Sequence, residues 1–401
     1  MAVSTSTVLD SIALGYQCVW GRARQIMALR LHVLTLQREA VSAEHLMRVL
    51  GNDWPVAAPP LIIAPRSLEL LEQALQLPPL PNTMLEVPAS LFASSEGASR
   101  LAKAAHQGHR LVRRISAAEP AGQAAVPVDT TDLLCLGPQD TERAIHGMGD
   151  GRLKPGFICE GIPSRALADQ LLDLAGVAGL AGWPVDDTLT SSASALRSCD
   201  RRAIRVIREL AARDVPLERI ERQVRQDPVM IHRLLVHVNR GGRREVDSLR
   251  HALMMLGFTA LEQWLSDEEG RADSDADLHP VRQEMVMRAR LAQHLLDPGS
   301  EDNLRAEVFL TAILAGLDRL LGRTLADLLD ELPLSDRVRD ALLRQSGPYW
   351  PLLELSTAQG KPGQLHLLSQ VCEGHDTSLE MANRALLRML ATTRSDSPDS
   401  L

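Results

Sequence analysis

The chain has 401 residues, a formal net charge of −8 and 45% hydrophobic residues. This length predicts two domains, each large enough to bury a core, and the negative charge excludes a general attraction to nucleic acid or to an anionic membrane. Aromatic residues make up only 3% of the chain. Few rings are therefore available to stack on bases, which also disfavours a nucleic-acid partner.

Five cysteines are scattered along the chain without a CxxC pair, at positions Cys18, Cys135, Cys159, Cys199 and Cys372. Their odd number and wide spacing argue against a disulfide framework or a zinc site, and favour reduced thiols. The first residues lack a basic segment, so no signal peptide is predicted. The longest uncharged apolar stretch, 174–185, is too short and too rich in glycine to cross a bilayer. We therefore expect a cytoplasmic protein without a membrane segment.

The first half of the chain mixes apolar runs with helical stretches. Residues 61–64, 84–87 and 133–136 are short apolar runs that predict buried strands. Helical stretches at 67–77 and 99–107 lie between them. Strands that alternate with helices are typical of parallel βα units, so residues 1–185 are predicted to form an α/β domain.

After this region the strand signal disappears. The segment 184–199, rich in Pro, Asp, Thr and Ser, predicts a linker, and residues 200–392 predict an all-α domain. One helix is expected to begin at Asp227-Pro228, where an N-cap acceptor precedes a proline. An acidic segment at 266–280 predicts a loop, and a capping-box pattern at 377–380 predicts the start of the last helix.

The stretch VRQDPVMIHRLLVHVNRGGRREVDSLRHALMMLGFTALEQWL, residues 224–265, resembles the signature of the bacterial HDOD domain. The matching positions are Asp227, Pro228, Leu234, Leu235, Val238, Asn239, Ser248, Leu249, Ala252, Leu256, Gly257 and Trp264. Further segments resemble the same part of two-domain EAL–HDOD signalling proteins, at 288–290, 308–310, 317–318, 332–334 and 341–342. The resemblance implies an all-α HDOD domain over residues 200–392.

The first half resembles the EAL domain of those proteins in the order and spacing of its segments. These are YQCVWGR at 16–22, LEV at 85–87, GHRL at 108–111, TDLLC at 131–135 and AGW at 181–183. The resemblance implies a TIM-barrel-like α/β fold over residues 1–185. EAL domains hydrolyse cyclic di-GMP with two divalent metals that are held by carboxylates and an Asn, so the implied fold raises the question of metal ligands.

The residues aligned with that metal site are mostly unsuited to it. Arg30 replaces the signature glutamate, Ile63 or Ala64 replaces the Asn, Arg114-Ile115 replaces the paired aspartates and Cys135 replaces the catalytic lysine. Only Glu86 and Glu160 remain as possible ligands. Hard cations need several oxygen ligands, so the sequence predicts a degenerate EAL domain without catalytic, cofactor-binding or metal-ligating residues. We expect each of the two glutamates to be either solvated or paired with an arginine.

Other candidate motifs are weak. The His-Asp pair of the HD superfamily would fall on Ala315-Gly316, and His375-Asp376 precedes a helix cap. His232 and His237 are five residues apart, which does not give the shared face of an i, i+4 metal pair. Gly108 separates His106 from His109. The glycine-rich segment 147–151 lacks the spacing of a phosphate loop.

Residues 201–250 contain 13 arginines against seven acidic residues, although the whole chain is acidic. Arg201, Arg202, Arg205 and Arg208 open this segment, and we expect them to steer a protein partner. The sequence as a whole predicts a non-catalytic signalling or scaffold protein with an unidentified protein partner. The alternatives are a receptor that binds cyclic di-GMP without cleaving it, an active phosphodiesterase and a nucleic-acid-binding regulator.

Overall fold

The computed structural model describes residues 7–37, 42–55, 58–116, 130–136, 156–191, 198–213, 215–240 and 246–393. The chain divides into two compact units. The first, which we call the barrel unit, combines Met1–Asp187 with Ala358–Arg394, and the second, the helical unit, contains Thr188–Thr357. Among the described residues, no helix combines the length and the apolar character that a membrane crossing needs.

Eight strands close into a barrel in chain order. The first strand runs antiparallel to both of its neighbours, whereas the other pairs of neighbouring strands are parallel. The three strands that the apolar runs predict are all present, which confirms the α/β barrel expected for the first half. The strands are β1 Ile12–Trp20, β2 Ile26–Thr35, β3 Leu61–Pro65, β4 Thr83–Pro88, β5 Leu111–Ser116, β6 Thr130–Cys135, β7 Phe157–Glu160 and β8 Val177–Ala181.

Helices lie between several of these strands and after the last one, and serine residues begin several of the helices. The side chains of Ser42, Ser67, Ser94 and Ser164 each accept a hydrogen bond from a backbone N–H three residues further on, which satisfies one of the free donors of the first turn. The helices are α1 Ala43–Asp53, α2 Leu68–Ala74, α3 Ala89–Ala93, α4 Ser95–His106, α5 Arg165–Asp173 and α6 Val185–Ser191.

One apolar side chain from each strand fills the centre of the barrel. Because successive side chains on a strand point to opposite faces, alternate residues face the interior. The buried cluster consists of Val19, Ala28, Ile62, Met84, Val112, Leu133, Ile158 and Ala181. This layer closes the barrel core and leaves the next inward positions, two residues along each strand, at one end.

The helical unit is a succession of helices, with one isolated bridge between Asp200 and Asp273. As predicted, Asp227 caps a helix whose first residue is Pro228, and its Oδ1 accepts from the N–H of Val229 at 3.0 Å. These helices are α7 Arg201–Ala211, α8 Leu217–Val224, α9 Pro228–Asn239, α10 Leu249–Glu269, α11 Leu278–His294, α12 Asp302–Leu314, α13 Leu317–Leu321, α14 Leu325–Asp330, α15 Asp336–Leu343 and α16 Trp350–Gln359.

The last helices, α17 Leu368–Gly374 and α18 Leu379–Ala391, belong to the barrel unit. Asn383 of α18 is fully buried and bonds the backbone beside β1: its Nδ2 donates to the carbonyls of Leu9 and Ile12, both at 2.7 Å, and its Oδ1 accepts from the N–H of Leu14 at 3.0 Å. The sequence assigned residues 358–392 to the helical domain. The structure instead places residues 358–394 in the barrel unit. The helical pattern of the sequence does not show which core a helix packs against, and α18 packs against β1.

Two predicted connections are shorter than expected. Residues Val185–Ser191 of the expected linker form helix α6, which carries Asp186 and Asp187 in its first turn, where acidic side chains are favourable. Residues 192–197 lie outside the described part of the chain. Helix α10 extends to Glu269 into the expected loop at 266–280, because Glu268 is buried against Arg233 at 2.7 Å.

Candidate functional site

The carboxyl end of the barrel carries the next inward layer of side chains, two residues beyond the apolar layer. This is the end at which barrels of parallel strands place their functional groups. We call five of these residues the barrel-end cluster: Arg30 of β2, Glu86 of β4, Arg114 of β5, Cys135 of β6 and Glu160 of β7. The structure therefore brings together the residues that the sequence aligned with a metal site.

Arg30 bonds both carboxylates of the barrel-end cluster. Its Nε donates to Glu86 Oε2 at 2.7 Å and its Nη2 donates to Glu86 Oε1 at 2.8 Å. Its Nη1 donates to Glu160 Oε1 at 2.6 Å and to Gln17 Oε1 at 3.0 Å. Every nitrogen of the guanidinium thus has an oxygen partner, in the forked geometry that suits carboxylates.

The three side chains of these ion pairs are largely buried, and their contacts decide whether each group is charged. The Arg30 side chain is 0% exposed, and the side chains of Glu86 and Glu160 are 7% and 20% exposed. Burial alone lowers the pKa of Arg30, but the two glutamates raise it above its ordinary value. Burial alone raises the pKa of Glu160, but Arg30 lowers it below its ordinary value. The arginine and the carboxylate consequently stay charged at neutral pH.

Cys135 and Arg114 occupy the other side of the cluster. Arg114 Nε donates to Cys135 Sγ at 3.2 Å, and the Cys135 thiol donates to Glu160 Oε2 at 3.2 Å. Arg114 Nε also lies 3.7 Å from Glu86 Oε1. Burial raises the pKa of Cys135, so the side chain remains a neutral thiol at neutral pH and brings no positive charge to the site.

A buried histidine lies beside a further arginine near the cluster. His32 is 1% exposed, and its Nδ1 is 3.1 Å from Arg66 Nη2. Burial, followed by the charges of Arg30, Arg66 and Arg114, lowers the pKa of His32. The neutral ring accepts at Nδ1 and therefore carries its proton on Nε2, an atom that has no hydrogen-bond partner among the described residues. A buried donor is thus present next to three arginines.

The arrangement does not fit a pair of divalent metal ions. Ala64, at the inward position of β3, has no ligand atom, and the oxygens of Glu86 and Glu160 bond the guanidinium of Arg30. Hard cations need several oxygen ligands, and a fixed positive charge repels them. No group of three or more His, Cys, Asp or Glu side chains suited to a metal occurs in the described part of the chain.

Three residues of this region were not predicted to be functional: Gln17, His32 and Arg66. Gln17 lies in the segment that resembles an EAL strand, but no role is predicted for it from that resemblance. The signal that identifies His32 is strand alternation, because it follows Ala28 and Arg30 on the same face of β2. Arg66 follows the end of β3, where no strand pattern places its side chain.

The other histidine candidates lie apart from the barrel end. His109 is buried with Nε2 2.8 Å from the carbonyl of Leu77, whereas His106 is exposed at the end of α4. His375-Asp376 forms the turn before α18, where Asp376 has a φ of 50°. The glycine-rich segment 147–151 lies outside the described residues. His232 and His237 line one cavity of the helical unit.

Only part of the arginine-rich start of the helical unit is exposed. Arg202 and Arg205 are exposed on α7. Arg201 donates to the carbonyl of Ala272 at 2.7 Å, and Arg208 pairs with Glu269. The expectation of four steering arginines is therefore corrected to two, because the other two bond groups of their own unit.

The residues that resemble the HDOD signature take defined places in the helical unit. Asp227 caps α9, and Ser248 caps α10 by accepting a hydrogen bond from the N–H of His251. Gly257 interrupts α10 with a φ of 69°. Residues 196–328 match the family model of the HDOD domain. We refer to this segment as the HDOD region.

Two curated bacterial proteins are similar to this chain. The uncharacterized protein YuxH of Bacillus subtilis is 26% identical over 156 residues, which are 37% of this chain and 38% of that protein. The cyclic di-GMP phosphodiesterase CdgJ of Vibrio cholerae is 30% identical over 156 residues, which are 38% of this chain and 36% of that protein. The match thus spans less than two-fifths of these relatives.

Solved structures show only a distant likeness. The MmoQ response regulator of Methylococcus capsulatus is 21% identical, with a TM-score of 0.39 over 47% of this chain and 97% of its own. The EAL enzyme Bd1971 in its cAMP-bound form is 11% identical, with a TM-score of 0.32 over 44% of this chain and 62% of its own. The PaMucR phosphodiesterase in complex with c-di-GMP is 13% identical, with a TM-score of 0.28 over 43% of this chain and 94% of its own. Scores at this level carry no argument about function.

Proposed function

We propose that this protein is a cytoplasmic signalling or scaffold protein that acts through protein–protein contacts and does not hydrolyse cyclic di-GMP. The proposal rests on one observation: the guanidinium of Arg30 bonds both carboxylates at the carboxyl end of the barrel. The HDOD region and the relative named as a cyclic di-GMP phosphodiesterase support a role within cyclic di-GMP signalling.

Phosphodiester hydrolysis by two metals needs one ion to activate the attacking water and another to stabilise the leaving oxygen. An arginine supplies a fixed positive charge but cannot bind and deprotonate water, since it remains protonated at all accessible pH values. A metal ion would have to separate Arg30 from Glu86 and Glu160 and leave a buried guanidinium unpaired. Breaking a buried pair in this way costs about 3–5 kcal/mol.

A hydrolysis assay tests the proposal directly. The purified protein is incubated with cyclic di-GMP or its linear dinucleotide, with Mg²⁺ or Mn²⁺, beside an active phosphodiesterase in the same buffer. We expect no product above the rate without protein. Metal-dependent turnover that disappears in the Glu86→Ala variant would show that the barrel end is catalytic and would overturn the proposal.

A second candidate function is a receptor that binds cyclic di-GMP without cleaving it. The observation in its favour is the Nε2–H of His32, which lies beside Arg66 and near Arg114 and has no partner in the part of the chain that the structure describes. The positive charges of Arg114 and Arg30 lower the pKa of Arg66, after the larger effect of burial, so a phosphate group placed among them would relieve the repulsion.

Calorimetric titration with cyclic di-GMP separates the two candidates. A receptor binds the dinucleotide saturably in the presence of EDTA, and loses that binding in the Arg66→Gln/Arg114→Gln double variant. The scaffold gives no saturable heat with either protein. Affinity purification of the tagged full chain, followed by mass spectrometry, then identifies the protein partner that the scaffold requires.

A further inference from the structure

A cavity of about 370 Å³ opens among the helices of the HDOD region. Sites for small molecules in proteins have volumes of roughly 300–1,000 Å³, so this one has room for a molecule the size of a single nucleotide. Its walls come from α9, from the end of α10 and from the segment that contains α13 and α14. The lining of the cavity includes His232, His237, Arg240, Trp264, Arg271 and Glu331.

One wall of the cavity is aromatic. The rings of His237 and Trp264 have their centroids 6.0 Å apart and are inclined by 39°. Trp264 is 5% exposed and Leu321 is 6% exposed, so the packing around them holds the base of this wall, whereas His237 is exposed and supplies the accessible ring. A planar ligand ring can stack on the face of that imidazole.

Some charged side chains of the cavity form close ion pairs with each other, and others are exposed and weakly paired. Glu268 is neutralised by Arg233 at 2.7 Å, and Glu331 is neutralised by Arg323 at 2.8 Å. Arg271 lies 4.0 Å from Glu268, at the limit of an ion pair, and its side chain is 69% exposed.

Arg240 is exposed and makes no ion pair within the described part of the chain. Among the described residues of the cavity lining, only the acidic Asp267 opposes these two arginines, so this part of the rim has an excess of positive charge. The rim therefore favours an anionic group.

His232 adds a polar group at the buried side of the cavity without adding a charge. It is 4% exposed, and its Nε2 lies 3.4 Å from both the carbonyl of Leu328 and Glu331 Oε2. Burial lowers the pKa of His232, so the ring is neutral at neutral pH. A ligand that reaches this depth therefore meets a hydrogen-bonding group and not a second cation.

We propose that this cavity binds a nucleoside monophosphate, with the base against the exposed ring of His237, beside Trp264, and the phosphate at Arg240 and Arg271. An aromatic wall next to a cationic rim matches a molecule that has a planar ring at one end and an anion at the other. The volume has room for one nucleotide. This function is independent of the barrel-end cluster and goes beyond the proposed scaffold role.

Calorimetric titration of the full chain with GMP and with AMP tests the proposal. Two further titrations separate the two halves of the ligand: the nucleosides supply the ring without phosphate, and ribose 5-phosphate supplies the phosphate without the ring. We expect saturable binding of at least one monophosphate, with markedly weaker binding of its nucleoside and of ribose 5-phosphate. Wild-type protein that binds neither monophosphate saturably overturns the proposal, as does ribose 5-phosphate binding as tightly as GMP or AMP.

Variants locate the site. Arg240→Gln/Arg271→Gln is expected to weaken binding about tenfold or more, because charge-assisted hydrogen bonds to the phosphate are lost. The matched control is Arg250→Gln, an exposed arginine of α10 that pairs with Glu218 and does not line the cavity. A third variant, Arg66→Gln/Arg114→Gln, is expected to bind as the wild type does. Binding that survives in the cavity variant and disappears in the barrel variant contradicts the proposal.

Discussion

Arg30 and Glu86 form a bidentate ion pair inside the barrel, with N–O distances of 2.7 and 2.8 Å. The pair joins β2 to β4 across β3, whose own inward residue at this level is the small Ala64. Because the alanine leaves the space open, the arginine reaches a carboxylate two strands away. The same guanidinium also reaches Glu160 on β7 and Gln17 on β1, so one side chain connects four strands at the carboxyl end of the barrel.

Replacing Arg30 by methionine is expected to lower the free energy of unfolding of the barrel unit by about 3–5 kcal/mol, because Glu86 and Glu160 lose their buried counter-charge. Arg100→Met is the matched control. That arginine is 47% exposed and pairs with Glu72 and Glu96 on the surface, so its loss is expected to cost about 1 kcal/mol or less. Urea denaturation measures both. Equal effects of the two substitutions would show that the buried pair contributes little.

The same pair predicts a pH dependence. The pKa of Glu160 is lowered in the folded protein, so its stabilising contribution is present above the unfolded value of about 4.3 and is lost as the pH falls through the lowered folded value. In Arg30→Met the buried Glu160 loses its cation. We expect burial then to raise the pKa of Glu160, so that acid favours the folded form of the variant. The stability difference between the two proteins should therefore narrow from pH 7 to pH 4, and a constant difference would contradict this linkage.

Asn383→Ala is expected to destabilise the barrel unit by about 3 kcal/mol. The substitution removes three buried hydrogen bonds to the backbone at Leu9, Ile12 and Leu14, and leaves their groups without partners. Arg384→Ala, on the exposed side of the same helix, loses only its surface pair with Glu380 and should change stability by about 0.5 kcal/mol or less. A thermal unfolding series compares them. If the unfolding temperature falls by the same amount in both variants, the buried hydrogen bonds of α18 do not stabilise the barrel.

A fragment of residues 188–357 is expected to fold on its own and to unfold cooperatively, since these residues form one compact unit. A fragment of residues 200–392 should unfold less cooperatively and bind more of a hydrophobic dye. Leu386, Leu387 and Leu390 of α18 are buried in the full chain, and in this fragment they would lose the barrel strands against which the helix packs. Circular dichroism and binding of a hydrophobic dye compare the fragments. If the 200–392 fragment unfolds more cooperatively and binds less dye than the 188–357 fragment, the domain boundary predicted from the sequence is the right one.

Charge reversal of Arg202 and Arg205 to glutamate is expected to slow association with the protein partner and to leave dissociation nearly unchanged. Exposed charges steer an approaching partner over a distance of about 8 Å at physiological salt, while each surface pair adds only about 0–1 kcal/mol. Surface plasmon resonance at low and at physiological salt measures both rates. Arg344→Glu, at the exposed residue that follows α15, is the control. An unaltered on-rate at low salt would exclude steering, and wild-type protein that shifts duplex DNA with a steep salt dependence would favour a nucleic-acid regulator.

Much of the barrel and of its polar end was predictable from the sequence, because short apolar runs and strand alternation are local properties. The strands around Ile62, Leu85 and Leu134 follow from such runs. The roles of Arg30 and Glu86 came from the resemblance to EAL domains, and only the structure shows that they bond each other. Their contact crosses 56 residues of sequence, and nothing in either local pattern specifies it.

The helices after residue 357 show where local patterns fail. Their periodicity predicts helices correctly but cannot say which core the apolar residues enter. Gly15 supplies one reason for the actual packing: a Cβ there would lie 3.0 Å from the carbonyl oxygen of Gln359 and 3.1 Å from Leu365. The missing side chain of Gly15 on β1 therefore leaves room for the segment that contains Gln359 and Leu365. Helical periodicity in that segment does not reveal this requirement.

The division of the chain at residues 187 and 358 has a consequence for biosynthesis. All residues of the helical unit from 188 to 357 leave the ribosome before α18 does, so that unit is complete while the barrel still lacks the amide of Asn383. The nascent barrel must then wait for roughly 200 further residues, or about 10–40 s at bacterial or eukaryotic synthesis rates. During that interval the backbone beside β1 is open to chaperones and proteases, so a premature stop codon near the end of the message would damage the beginning of the protein.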